Sequence, residues 1–251
     1  MFIEGVNMMR ATDVYTGRVL WQTELPGLSA PYDAGNRRPG ANHIGTNYAS
    51  AADAVYVAYE EDCLALNAET GEVAATFTPP DEAPPSQVRV WGELLVLASD
   101  PLVYDDGPVG ENNWNSTGSR TVHVFDRTTG EHLWSRQAAH GFHHNTLIIG
   151  NDVLYVIDRL APGQEAVLKR RGLTPEDAGA QYALLALDVH TGDEHWSTTE
   201  NVQGTWLGYS EEHDILLQSG RGSQDMVTGE PSGHMIAYRG SDGTVLWDEE
   251  H

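Results

Sequence analysis

Apolar residues in this chain come in short runs bounded by turn residues, and helical spacing is absent from almost its whole length. Val55-Tyr56-Val57-Ala58-Tyr59 is one run; acidic turn residues follow, then Cys63-Leu64-Ala65-Leu66, a turn, and Val73–Phe77. Later stretches repeat the plan. Gln87–Trp91, Leu94–Ala98, Thr121–Asp126 and His132–Arg136 form one set of four strands. Thr146–Ile149, Val153–Asp158, Tyr182–Asp188 and His195–Thr198 form the next, and Thr205–Tyr209, Ile215–Ser219, His234–Arg239 and Thr244–Trp247 the last. The middle strands, such as Leu94-Leu95-Val96-Leu97 and Leu154-Tyr155-Val156-Ile157, do not alternate apolar with polar. A strand apolar on both sides must be covered on both sides, which stacked sheets achieve.

A turn signature ties these sets together. It reads Asp13…Thr16-Gly17…Trp21, Asn67…Thr70-Gly71, Asp126…Thr129-Gly130…Trp134, Asp188…Thr191-Gly192…Trp196 and Asp242-Gly243…Trp247. Its glycines are 54, 59, 62 and 51 residues apart, a period that marks repeat architectures. Four short strands per period predict an all-β β-propeller of four-stranded antiparallel blades. The half blade at 1–25 is read as two strands, Phe2–Asp13 and Arg18–Thr23; full blades follow at 42–78, 86–137, 145–199 and 204–248. The tryptophans suit wedge positions between blades, because flat aromatics dominate buried area. The second copy has Ala75 where the tryptophan belongs, which predicts a looser junction there.

The Ala/Phe-x-Asp-x-x-Thr-Gly-x-x-x-Trp pattern resembles the repeat of PQQ (quinoprotein dehydrogenase)-like β-propellers, a superfamily that also holds the outer-membrane assembly lipoprotein propeller. Phe2-Ile3-Glu4-Gly5 and Gly204-Thr205-Trp206-Leu207 resemble bacterial PQQ-binding-like β-propeller repeat proteins. The resemblance implies a ring of seven or eight blades and a periplasmic or extracellular location. Eight blades at this period need roughly 450 residues, against 251 here and about four and a half blades. The expectation is therefore a fragment of a longer propeller, the alternative being a small distorted ring. A fragment exposes apolar faces on its end blades and is expected to self-associate through them.

Charge narrows the partners. The chain carries 37 acidic and 14 basic residues, a formal charge of −23, and Lys169 is its only lysine. Phosphate contacts need basic patches, so nucleic acid is disfavoured, as is an anionic membrane surface. No apolar run reaches membrane-helix length, and no signal peptide is visible. Cys63 is alone, in an inner strand, and reads as a core thiol.

In a four-stranded blade the loops between strands two and three share a face with the inter-blade connections, and the Thr-Gly turns lie opposite. Long insertions fall on the first face: 100–120, 159–181 and 220–233. Loops on a rigid scaffold carry binding. Thr174-Pro175-Glu176-Asp177 has a helix-start signal and predicts a short lid helix near Glu165–Arg171. Candidate ligand-binding residues on this rim are Arg37, Arg38, Asn42, His43, Asn145, Trp206 and Arg221, with Asn47 and Asn201 nearby. His140, His143 and His144 are candidate metal ligands, since three imidazoles within five residues can converge, although their spacing matches no standard zinc motif. Arg37-Arg38 can pair with Asp105-Asp106 or bind an anionic group. Asp100, Asp105, Asp106, Glu111, Asn112, Asn113 and Asn115 make an oxygen-rich loop of the kind calcium takes, without EF-hand spacing.

Two functional readings follow. The first is a non-catalytic module that binds a protein, small-molecule or glycan ligand on its loop face, with no catalytic residue named. The alternative, implied by the resemblance, is a PQQ-dependent dehydrogenase using PQQ and calcium, with the rest of its site in missing sequence. In that family a tryptophan floor and adjacent cysteines hold the quinone, and Cys63 stands alone here.

Overall fold

The computed structural model describes residues 1–5, 7–28, 47–101, 118–160, 162–204, 206–219 and 234–250. They fall into two units, Met1–Leu133 and Trp134–His251.

The first unit opens with a three-stranded antiparallel sheet, β1 (Phe2–Gly5), β2 (Met8–Thr12) and β3 (Val19–Glu24). Phe2–Asp13, expected as one strand, is two: Asn7 adopts φ 60° and turns the chain so that Phe2 pairs with Ala11. Asparagine tolerates this left-handed conformation better than most residues. The second sheet is β4 (Tyr48–Ser50), β5 (Ala54–Tyr59), β6 (Asp62–Asn67) and β7 (Val73–Phe77), hydrogen-bonded in chain order. The third contains β8 (Pro85–Trp91), β9 (Leu94–Pro101) and β10 (Gly118–Asp126). β11 (His132–His143) starts here, with His132 against the rings of His123 and Phe125, and continues into the second unit.

In the second unit, β12 (Ile148–Gly150), β13 (Val153–Asp158), β14 (Ala183–Asp188) and β15 (Glu194–Thr198) pair in order. The last sheet is β16 (Trp206–Ser210), β17 (Ile215–Ser219), β18 (His234–Arg239) and β19 (Val245–Glu250). Where a lid helix starting at Thr174-Pro175 was expected there is only a 3-10 turn, Glu176–Ala178; the α-helix of this insertion, α1 (Pro162–Arg170), precedes it, and both lie between β13 and β14.

The two-sided apolar strands do what their pattern requires. In β5, Val55 and Val57 pack with Met9, Ala11 and Trp21 of the first sheet. Their neighbours Tyr56 and Ala58 pack with Val88, Leu95, Leu97 and Phe125 of the third. In the second unit, Tyr155, Ile157, Leu184 and Ala186 meet Leu207, Leu216, Ile236 and Tyr238. Each fully buried aliphatic side chain contributes about 1.5–3 kcal/mol relative to exposure.

One contact recurs at three junctions. The indole of Trp21 donates its N–H to the Ala68 carbonyl at 2.9 Å and lies flat on Gly71, where a Cβ would come within 2.5 Å of the ring. Trp134 donates to Val189 at 3.0 Å and covers Gly192; Trp196 donates to Gly240 at 2.7 Å and covers Gly243. In each case the acceptor stands three residues before the covered glycine. The turn itself is held by the repeat's first residue. Asp13, Asn67, Asp126 and Asp188 each accept two backbone N–H groups within the turn, and the glycine N–H closes onto that residue's carbonyl. Hydrogen bonds to the charged form, the Thr128 hydroxyl foremost, hold Asp126 down at about 2. In the fifth copy Arg239 occupies the carboxylate position, and the Gly243 N–H bonds to its carbonyl.

Candidate functional site

The richest polar arrangement sits on the loop side of the second unit. Strand β13 ends at Asp158 and Arg159 follows it; both are buried. Asp158 accepts three backbone N–H groups, from Ala139 (2.6 Å), His140 (2.9 Å) and Gly141 (2.9 Å). It fixes the path of the histidine segment. Arg159 points the other way. It donates to the carbonyls of Gln203 (2.7 Å) and Gly204 (3.2 Å) and forms a 2.5 Å ion pair with Glu165 of α1. Its guanidinium lies 4.8 Å from the ring centre of Tyr182, within cation–π range. The Tyr182 hydroxyl donates to the same Glu165 carboxylate. Burial first, then that carboxylate, pushes the phenol pKa up, so Tyr182 stays protonated and donating. Arg159 therefore ties the insertion to the β15–β16 connection.

The insertion is ordered from within. Thr174 and Asp177 exchange hydrogen bonds reciprocally (2.9–3.2 Å), and Gly179 ends the 3-10 turn in the left-handed conformation at φ 74°. On the facing connection, Gln218 accepts from the N–H groups of Gln203 and Gly204 and donates to Asn201 and the Tyr238 hydroxyl. Gly204 must be glycine, because a Cβ would sit 2.5 Å from Gln218 Cγ and 2.8 Å from the Ser219 carbonyl oxygen.

Between these segments lies a cavity of about 670 Å³, lined among others by Glu176, Tyr182, Thr199, Asn201, Gln203 and His234. His234 is paired with Asp248. Gln203 Nε2 is buried and has no hydrogen-bond partner among the described residues. The lining offers amide, hydroxyl and imidazole groups and one acid, Glu176. Such a surface suits a neutral polar ligand rather than an anion.

Of the candidates named from sequence, Arg37, Arg38, Asn42, His43 and Arg221 lie outside the described residues. Asn145 is half-buried on the 3-10 turn His144–Thr146, and Trp206 is half-buried at the start of β16; neither lines the cavity. His140 faces the edge of Tyr182. His143 and His144 are buried, and His143 Nε2 lies 3.3 Å from the Leu160 carbonyl oxygen. Burial, helped by the Arg159 charge, lowers His143 to about 3. Among the described residues no three His, Cys, Asp or Glu side chains are grouped to hold a metal ion, so His140, His143 and His144 make no such group. Of the oxygen-rich loop only Asp100 is described, and it pairs with Arg120 at 3.1 Å. Cys63 is fully buried, and burial raises its thiol pKa. Sequence reading missed Arg159, Tyr182, Gln203 and His234. The available signal was an arginine placed directly after an apolar strand and opening a long insertion.

The first unit holds a Ser–His–Asp contact that spacing did not reveal. His123 Nε2 lies 2.9 Å from Ser99 Oγ and 3.1 Å from Asp81 Oδ2, and Ser99 donates to Asp81 at 2.7 Å. Serine and carboxylate share one imidazole nitrogen. A proton relay needs them on opposite nitrogens, so this is a structural cluster.

Short antiparallel strands grouped into blade sheets, with three of the glycine turns capped by a neighbouring indole, define a β-propeller repeat protein. A family model described as outer membrane protein assembly factor BamB matches residues 89–251, and the chain belongs to that PQQ-like propeller family. Among solved structures, BamB from Moraxella catarrhalis matches with TM-score 0.53 and 14% identity, over 97% of this chain and 58% of that one. The quinohemoprotein alcohol dehydrogenase of Comamonas testosteroni matches with TM-score 0.60 and 14% identity, over 99% of this chain and 41% of that one. Quinohemoprotein alcohol dehydrogenase ADHIIG from Pseudomonas putida HK5 gives 0.58 and 13%, over 99% and 40%. These likenesses establish the fold, and the chain spans about three fifths or less of each. No curated protein matches it. Among the described residues no helix is long and apolar enough to cross a membrane.

The described residues do not fit PQQ with calcium. Cys63 is buried within β6 without a neighbouring cysteine, and among the described residues no three His, Cys, Asp or Glu side chains are grouped.

Proposed function

We propose that this chain serves as a non-catalytic binding and assembly module of the cell envelope, engaging a neutral polar ligand, a glycan or an extended protein segment, on the loop face of its second unit. The observation that supports this most is the cavity beneath the insertion, with its mostly uncharged polar lining and a Gln203 donor that has no partner among the described residues. Membership of the outer membrane assembly factor family supports both the binding role and the periplasmic location. Arg159 and Glu165 pair with each other and bond to the lining residues Gln203 and Tyr182, which supports a site ordered before a ligand arrives.

Reconstitution with PQQ and calcium, followed by the quinone absorbance spectrum and dye-linked alcohol oxidation, tests the reading against the dehydrogenase alternative. Neither bound quinone nor turnover is expected. In parallel, titration with neutral oligosaccharides and extended peptides should give saturable binding that Asn201→Ala weakens by about tenfold. Bound quinone with turnover, and no saturable ligand, would overturn the proposal.

A further inference from the structure

Strand β7 keeps the features of the indole-bearing strands and lacks the indole. Trp21, Trp196 and Trp247 each stand opposite an alanine of the neighbouring strand, Ala11, Ala186 and Ala237, and the register shifts at the residue after that alanine. Ala75 stands opposite Ala65 with the same shift, and it is exposed. The turn it faces across the junction is complete. Asp126 accepts the N–H groups of Thr128 and Thr129, the Gly130 N–H closes on the Asp126 carbonyl, and Gly130 has φ 80°. A Cβ on Gly130 would nevertheless meet nothing within 4 Å. The carbonyl three residues before Gly130 is that of Arg127, the counterpart of those that accept the Trp21, Trp134 and Trp196 N–H groups. Among the described residues no donor reaches it. Ala75 and Gly130 both lie inside the first unit, so the gap follows from the small side chain at position 75.

We infer that this gap is a second binding site, for a small planar heterocycle with a ring N–H, of which free indole is the simplest. The three filled junctions set the pose: the ring lies on Gly130 and its N–H donates to the Arg127 carbonyl. Ala75 retains the Cβ from which the other indoles spring, so the chain lacks only the ring. In that pose the Ala75 methyl stands against the ring carbon that bears the side chain in tryptophan. Free indole fits, and an indole substituted at that carbon does not. The walls are fixed without the ring. The Arg127 guanidinium is held by Asp53, the Tyr56 hydroxyl and the Gly92 carbonyl, and Phe77 packs on both Tyr56 and Phe125. A site braced in this way loses little freedom on binding. Asp126 and Glu131 belong to the same turn, and their charge disfavours an anionic ligand. The site is independent of the cavity in the second unit, and stands whether or not that face binds.

Amide NMR spectra of the 251-residue chain, titrated with indole to about 10 mM, follow the Gly130 N–H; the range matches the affinity that so small a ligand can supply. A saturable shift centred on Gly130 and Thr129, with Kd on the order of 1 mM, is expected. N-methylindole keeps the ring and loses the donor, and should bind about threefold to tenfold more weakly. N-acetyltryptophanamide should leave Gly130 unmoved. Ala75→Trp fills the gap covalently and should abolish the shift. Gly130→Ala places a methyl group where the ring packs and should abolish it with Ala75 intact. Far-UV circular dichroism checks that both variants are folded. A Gly130 amide that stays still throughout the range overturns the inference. So does a shift that persists in either folded variant, or one that N-methylindole reproduces at equal strength. Shifts confined to the second unit, around Gln203 and Gly204, place indole in the cavity instead and also overturn it.

Discussion

Two neighbouring junctions in the first unit solve the same problem differently. Where the first sheet meets the second, Trp21 is buried on Gly71, its N–H is paired, and Thr23 adds a hydroxyl bond to the Gly71 carbonyl at 2.5 Å. Where the second meets the third, Ala75 is exposed and a Cβ on Gly130 would meet nothing. The turn is open, as the missing tryptophan leads one to expect, but the junction is not left unsupported. Arg127, three residues before that glycine, reaches back to Asp53 with two 2.9 Å contacts, to the Tyr56 hydroxyl at 3.1 Å and to the Gly92 carbonyl at 2.7 Å. Behind it Phe77 lies edge-on to Phe125 and tilted against Tyr56. A planar guanidinium fills the role of a planar indole, exchanging buried apolar area for charge-assisted hydrogen bonds.

The comparison is tested hardest by removing an indole. Trp134→Ala should lower unfolding free energy by about 3–5 kcal/mol in urea titration, since it empties a buried site and strands the Val189 carbonyl. Acid comes next. His143 is neutral in the fold with its value lowered to about 3, while in the unfolded chain it protonates near 6.5. The unfolded state thus binds more protons between those values, and stability falls as pH drops through that window. By pH 5 the loss should be roughly 2 kcal/mol, and His143→Gln should remove that share of the pH dependence. Arg127→Met should cost less, about 1 kcal/mol, because Asp53 is largely exposed, and the difference from the parent should shrink in salt. Ala75→Trp should act in the opposite sense. It supplies the missing indole over open Gly130 and should raise Tm by about 2–4 °C.

The fold was legible because it is repetitive. A turn that needs a carboxylate or amide, a left-handed glycine and an indole leaves all three in the sequence, and copies correct one another. Ala75 was noticeable only against that background. The three-stranded first sheet was not legible: Phe2–Asp13 reads as one apolar run, and the bend depends on a single residue, Asn7, in a left-handed conformation. The site was harder still. Arg159, Tyr182 and Gln203 meet through the fold from positions far apart in sequence, and nothing periodic marks them. The His140–His144 cluster drew attention by density, yet the side chains of His143 and His144 are buried, the backbone before them is held by Asp158, and the His143 ring lies against the Leu160 carbonyl.

Glycine-to-alanine substitution at matched turns tests most directly whether indole docking organises the junctions. Gly71 and Gly130 have nearly the same conformation, φ 75° and 80°, so backbone strain is common to both. They differ in what a methyl group meets: the Trp21 ring at 2.5 Å in one case, open space in the other. Urea unfolding should show Gly71→Ala costing about 1–3 kcal/mol more than Gly130→Ala. Equal losses at the two turns would contradict the account.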